Sequence, residues 1–341
     1  MQEECISPDT TSFVCCLKAC GMIPAITIGE ELHRKIEKCG ISASKDLALG
    51  NSLLHMYAKC GMLEKAKQVF DELKSRNIVS WNALITGYIE NRYHEKAMEC
   101  YDKMKAEGIL SPNSITLVSV LKVCDDAGAI DKVVEIHGEI ESQELLEKDL
   151  IVGNVLLKIY AKWGLLAKAQ QVFEKLHGRN IISWTTLIMG YDKHGHGERA
   201  LGCFEQIRSV GMPLNAITYI CSLKACRNIG ATNKGQDIHS EIERHGLLGE
   251  DLVGNTLVDM YAKFGYLKKA REVFYELPVR DVVSWTSLMS GYTRFGKFEV
   301  VFGLFDTMLG EGLKPDAVTF IVLLTACDRA NLSNKCEHYF N

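Results

Sequence analysis

The residues best suited to chemistry recur in register. Cys20 and His33, Cys124 and His137, and Cys226 and His239 each stand thirteen positions apart, and thiolate and imidazole are the ligands zinc most often takes. A zinc site needs about four ligands converging on one point. Each Cys/His pair offers two, and the copies lie about a hundred residues apart, so small buried cysteines and packed histidines are the better reading. None of the thirteen cysteines falls in a Cys-x-x-Cys spacing, which weakens zinc-ribbon and thioredoxin readings. His137-Gly138-Glu139 and His239-Ser240-Glu241 match the His-x-Glu half of a zinc deaminase, but its Pro-Cys-x-x-Cys half is absent, so no catalysis is expected there. No Gly-rich phosphate loop or nucleophile elbow occurs. The sequence predicts no catalytic residue, no metal and no cofactor.

The elements that carry these residues are set by a repeat. Asn51-Ser52-Leu53-Leu54-His55-Met56-Tyr57-Ala58-Lys59 returns as Asn154 to Lys162 and as Asn255 to Lys263, followed by Gly61, Gly164 or Gly265. Ser-Trp recurs at Trp81, Trp184 and Trp285, at intervals of 103 and 101 residues. That period is too long for one helical hairpin and holds three. The repeats run 10–46, 47–77, 78–113, 114–149, 150–180, 181–215, 216–250, 251–281, 282–316 and a partial 317–341, in one array over 1–341. Each reads as two antiparallel helices. Ala66, Val69, Phe70 and Leu73 fall at i, i+3, i+4 and i+7, one face of a helix. Asn51 to Lys59 opens with a capping-type residue and stops before Gly61, and Gly87-Tyr88, Gly190-Tyr191 and Gly291-Tyr292 are read as closing the first helix of the Trp-bearing repeats. A hairpin cannot bury its apolar face alone, so neighbours stack. The expected fold is all-α: a right-handed superhelical solenoid of stacked antiparallel hairpins, tetratricopeptide-like in architecture.

Bulk properties bound the function. The 341 residues include only six prolines, and no linker-like stretch divides them. With 39 basic and 43 acidic residues the formal net charge is −4, which argues against a purely electrostatic, sequence-blind nucleic-acid binder; lysines would have to gather on one face. No run reaches the roughly 18 apolar residues of a membrane span. An odd cysteine number without a secretory signal fits a reduced intracellular or organellar setting. The start, Met1-Gln2-Glu3-Glu4, is acidic and unlike a basic, serine-rich transit peptide: either the protein stays where it is made or its true N-terminus lies upstream.

The wording of the repeat is specific. Trp81-x-x-Leu84-x-x-Gly87-Tyr88 places glycine three residues too late for a tetratricopeptide repeat. Met56-Tyr57-Ala58-Lys59-Cys60-Gly61, Asp281-Val282-Val283-Ser284-Trp285, Leu17-Lys18-Ala19-Cys20 and the alternating lengths 31, 36 and 36 resemble plant pentatricopeptide repeats of the PLS class over nearly the whole chain. The interval of eleven from Cys327 to His338, against thirteen earlier, resembles the last long repeat that precedes the C-terminal extensions of RNA-editing factors, and implies a piece of a longer organellar factor.

The resemblance implies single-stranded RNA as partner, read one base per repeat by two side chains. The pairs are Asn51/Asn77, Asn82/Asn113 and Asn154/Asn180 for a pyrimidine with cytosine favoured, Thr185/Asn215 for adenine, Asn255/Asp281 for uracil and Thr286/Asp316 for guanine. A carboxylate only accepts, which suits the ring N–H of uracil or guanine; an amide donates and accepts. Val14, Val118 and Ile220 occupy the corresponding place in the long repeats and leave their bases unread. Val79, Ile182 and Val283 are expected to pack on base faces. The implied target is n-Y-Y-n-Y-A-n-U-G-n, and the implied role is to guide processing or cytidine-to-uridine editing in a chloroplast or mitochondrion, with editing proteins in trans and no membrane or small-molecule substrate. Read singly, Asn51, Asn154 and Asn255 each follow glycine and look like helix caps. Trp81, Trp184 and Trp285 read as packing between hairpins, and Lys59, Lys162 and Lys263 as phosphate contacts or solvated helix ends. The rival reading is a protein–protein scaffold.

Overall fold

The computed structural model describes residues 9–108 and 112–331, and among these all regular structure is helical. In chain order the helices are α1 (Thr10–Met22), α2 (Ile26–Lys38), α3 (Leu47–Lys59), α4 (Leu63–Glu72), α5 (Ile78–Glu90), α6 (His94–Ala106), α7 (Ser114–Ala127), α8 (Ile130–Ser142) and the one-turn α9 (Leu145–Lys148). They continue as α10 (Leu150–Lys162), α11 (Leu166–Lys175), α12 (Ile181–Lys193), α13 (Gly197–Ser209), α14 (Ala216–Ile229), α15 (Thr232–Arg244), α16 (Asp251–Phe264), α17 (Leu267–Glu276), α18 (Val282–Arg294), α19 (Phe298–Gly310) and α20 (Ala317–Ala330). His338 and the rest of the closing Cys-to-His interval lie outside the described residues.

The chain forms two compact units. One runs to Leu156 and includes Lys175–His177; the other comprises Leu157–Glu174 and Gly178 onward. In the first, α1 packs on α3, α3 on α5 and α5 on α7; in the second, α12, α14, α16, α18 and α20 pack in the same succession. These are the first helices of their hairpins. Within each unit second helices wedge between their own first helix and the next one, as α2 does between α1 and α3, and α17 between α16 and α18. Stacking thus buries the apolar face that a lone hairpin would leave wet.

Aromatic pairs hold the seams. Trp81, Trp184 and Trp285 are buried and meet Phe70, Phe173 and Phe274 edge-on, with ring centroids 4.7, 4.5 and 4.7 Å apart. Each tryptophan joins the first helix of one hairpin to the second helix of the hairpin before it, a contact worth about 0.5–1.5 kcal/mol beyond the buried area. These three tryptophans therefore pack between hairpins and offer no face to a base.

Two sequence readings are corrected. The helix expected from Asn51 begins at Leu47, capped by Asp46, whose carboxylate accepts from the Leu49 N–H at 3.0 Å; likewise Asn154 and Asn255 lie inside α10 and α16. None of the three asparagines is a cap. The glycines read as helix stops, Gly87, Gly190 and Gly291, also lie inside helices. A Cβ at each would stand 2.6, 2.7 and 2.5 Å from the Cβ of Ala58, Ala161 and Ala262. They are points of close approach between consecutive first helices, where any side chain would force the helices apart.

Candidate nucleic-acid interface

The polar positions singled out in the sequence are brought together at the starts of the first helices. The last residue of a repeat is the N-cap of the next first helix. Asn77, Asn113, Asn180, Asn215, Asp281 and Asp316 accept through their side chains from Ser80, Thr116, Ser183, Thr218, Ser284 and Thr319 N–H groups at 2.8–3.1 Å. Capping satisfies backbone donors that a helix start leaves orphaned. It also fixes these six side chains at a defined height on their helices.

The partner residue sits one turn into the preceding first helix and reaches toward that cap. Asn51 donates from Nδ2 to Asn77 Oδ1 at 3.3 Å, Asn82 to Asn113 Oδ1 at 3.1 Å, and Asn255 to both carboxylate oxygens of Asp281 at 3.1 and 3.2 Å. Thr185 and Thr286 instead donate to their own helix carbonyls, Ile181 O and Val282 O, at 2.7 Å. They reach Asn215 and Asp316 through the hydroxyls of Thr218, at 3.1 Å, and Thr319, at 2.9 Å. Thr185, Asn255 and Thr286 are buried while Asn215 and Asp316 are exposed, so in the threonine pairs the cap carries the accessible polar atoms. Hydrogen bonds from the backbone and hydroxyl of Thr319 hold the Asp316 carboxyl below its usual range, leaving it an acceptor at neutral pH. Asn154 is half-buried within α10 and Asn180 half-buried at the start of α12. Val14, Val118 and Ile220 are half-buried at the fifth residue of α1, α7 and α14, the same register.

The bridging hydroxyls were not read in the sequence. Ser80 donates to Asn51 Oδ1 at 2.7 Å, and Thr116 to Asn82 Oδ1. Also missed was the extent of the aliphatic series. Val79, Ile182 and Val283 are more than half exposed, and so are Ile115, Ile151, Ile217, Leu252 and Val318. All stand second in a first helix; once helix starts are aligned, the series is legible.

The other recurrent residues are structural. His33 Nδ1 and Tyr57 Oη share a hydrogen bond of 2.8 Å, and His239 Nδ1 and Tyr261 Oη one of 3.0 Å. Burial pushes the thiols of Cys124 and Cys226 up to about 11 and about 12, far from nucleophilic. Among the described residues no three His, Cys, Asp or Glu side chains gather as a metal site, and no helix is long and apolar enough to cross a membrane.

Charge is divided between the helix sets. First helices carry eleven basic and seven acidic residues, second helices eighteen and twenty-three. The anticipated lysine row is uneven: Lys59 is paired with Glu90 at 2.5 Å, whereas burial and the neighbouring Arg227 and Arg294 depress the Lys263 ammonium.

The repeat itself is recognised at residues 76–125, 179–228 and 280–329 as the PPR repeat family, and at 51–78, 154–181 and 255–282 as the PPR repeat. The chain belongs to the pentatricopeptide repeat family. A chloroplastic pentatricopeptide repeat-containing protein of Arabidopsis thaliana is 32% identical over 94% of this chain and 51% of its own length. A mitochondrial one is 31% identical over 100% of this chain and 52% of its own. The chain thus spans about half the length of these pentatricopeptide relatives. In fold it is similar to the pentatricopeptide repeat protein PPR10 crystallised with an 18-nucleotide psaJ RNA element, with a TM-score of 0.67 at 16% identity, covering 99% of this chain and 56% of that one.

Proposed function

We propose that this pentatricopeptide repeat chain binds single-stranded RNA sequence-specifically, one nucleotide per hairpin, without catalysis of its own. The observation that carries the reading is the repeated pairing at helix starts. A residue one turn into a first helix meets, directly or through one hydroxyl, the cap of the following first helix, with an exposed aliphatic side chain two residues beyond that cap. Such a unit offers donors and acceptors for the edge of a base and an apolar surface for its face. The base-reading residues are Asn51, Asn77, Asn82, Asn113, Asn154, Asn180, Thr185, Asn215, Asn255, Asp281, Thr286 and Asp316, with Val79, Ile182 and Val283 against the base faces.

PPR10 is described with a bound RNA element, which supports the same partner here. The basic excess of the first helices favours a polyanion over an apolar peptide. The chloroplastic and mitochondrial relatives support an organellar role: guiding transcript processing or cytidine-to-uridine editing, with the chemistry supplied by proteins in trans. The test is Thr185→Asn, measured by binding to RNAs that differ at one nucleotide. Preference at the matching nucleotide moves from adenine to a pyrimidine; an unchanged preference refutes the assignment.

A further inference from the structure

The triplet of hairpins in the middle of the chain differs from its flanking copies in one respect. Lys158, Lys162, Lys193 and Lys224, from α10, α12 and α14, line a single basin of about 380 Å³, whose walls include Ala161, Met189 and Cys221. Lys158, Lys193 and Lys224 are exposed, and none is ion-paired with a carboxylate among the described residues. The one acid in the lining, Asp192, accepts from Asn228 Nδ2 at 2.9 Å.

The equivalent positions of the flanking copies are mixed in sign, each copy placing a carboxylate at one of them. Lys158 corresponds to His55 and Asp259, Lys193 to Glu90 and Arg294, and Lys224 to Lys122 and Thr325. Glu90 is ion-paired with Lys59, and Asp259 with Arg227. Only the middle copy has lysine at all three positions, over an apolar floor, where mutual repulsion is relieved by a bound anion and charge interactions exceed those in open water. The basin also lies beside a proposed reading position, since Thr186 lines it and follows Thr185.

Building on the RNA reading above, we infer that this basin is a phosphodiester clamp: a local, sequence-independent anchor for the backbone of the bound strand, with Lys158, Lys193 and Lys224 as its principal contacts. Anchoring is concentrated here and is weak in the flanking triplets. Base identity is read elsewhere, so the clamp sets affinity and strand register and leaves preference alone.

The test is anisotropy binding of the full chain to a labelled single-stranded RNA, matched or mismatched to the predicted run, between about 50 and 300 mM KCl. Wild type is compared with the triple variant Lys158→Gln, Lys193→Gln, Lys224→Gln and with a control at the equivalent first-triplet positions, His55→Gln, Lys122→Gln. Thermal melting verifies that each is folded. The triple variant loses roughly tenfold affinity or more for both RNAs, and its log–log salt slope falls by about 2, at about 0.7 per single-strand phosphate contact; the control changes little. If wild type binds RNA and the triple variant keeps its slope, or the control loses as much, the clamp is refuted while the RNA reading stands. If wild type binds no RNA, the RNA reading falls and the clamp with it. If a polyglutamate chain binds wild type better than RNA does and loses binding in the triple variant, the basin serves an acidic protein partner and the inference is overturned.

Discussion

Asn255 donates its side-chain amide to both carboxylate oxygens of Asp281, at 3.1 and 3.2 Å, across the whole length of one repeat, from one turn into α16 to the residue before α18. Asp281 also caps α18 through the Ser284 N–H. One carboxylate thus joins the end of one repeat, the start of the next helix and the partner one turn into the previous helix. A base approaching this pair meets a single acceptor group whose geometry is already set.

Asp281→Asn should therefore alter preference without unfolding the protein. Asparagine caps about as well as aspartate, so the stability change stays within about 0.5 kcal/mol. Preference at the matching nucleotide moves from uracil toward cytosine, as for the Asn/Asn pairs. Urea unfolding and single-nucleotide binding panels measure the two effects separately.

Gly190 tests the packing of consecutive first helices. Gly190→Val drives a branched side chain into Ala161, whose Cβ lies 2.7 Å from where a Cβ would stand. It costs about 1–3 kcal/mol or more. Gly202, in α13, has open space at the same test, and Gly202→Ala stabilises by roughly 0.5–1 kcal/mol through helix propensity. Equilibrium unfolding of both variants checks the contrast.

Trp285 separates packing from stacking. Trp285→Ala removes a fully buried side chain that meets Phe274 and costs about 3–5 kcal/mol. Trp285→Phe costs far less, because the buried Trp285 Nε1 has no hydrogen-bond partner to lose. The folded Phe variant keeps wild-type base preference, measured at a temperature well below its melting point.

His239 makes stability depend on pH. Burial is the main cause that lowers its pKa below the ordinary 6.5, against the opposing Glu243. The unfolded chain then binds this proton more readily than the folded chain, so the contribution is present above about pH 6.5 and declines as pH falls below it. His239→Gln flattens the acid side of the melting-temperature profile relative to wild type.

Much of the fold was legible because apolar spacing and the recurring Ser-Trp fix where hairpins repeat. Helix starts were less so. Asn51 carries the residue type and the preceding glycine of a cap, but Asp46 supplies the cap and Leu47-Ala48-Leu49-Gly50 is helical; periodicity does not mark a first turn whose buried residues face another hairpin. The role of Gly87 depends on Ala58, 29 residues earlier, and no local pattern contains that contact. At the candidate site, partners such as Asn82 and Asn113 could be named from the repeat. The bridging Thr116 hydroxyl, in the following hairpin, becomes visible only once the helices are stacked. The exposed Ile115, Ile151, Ile217, Leu252 and Val318 escaped notice because aliphatic residues at a helix start ordinarily read as core.

The most direct measurement is selection of bound sequences from a randomised single-stranded RNA pool, at a stated salt concentration. The bound pool is enriched in n-Y-Y-n-Y-A-n-U-G-n, with adenine at the Thr185/Asn215 hairpin and uracil then guanine two and three nucleotides beyond. A pool that binds without enrichment at these positions, or enriches an order unrelated to the hairpins, contradicts this reading.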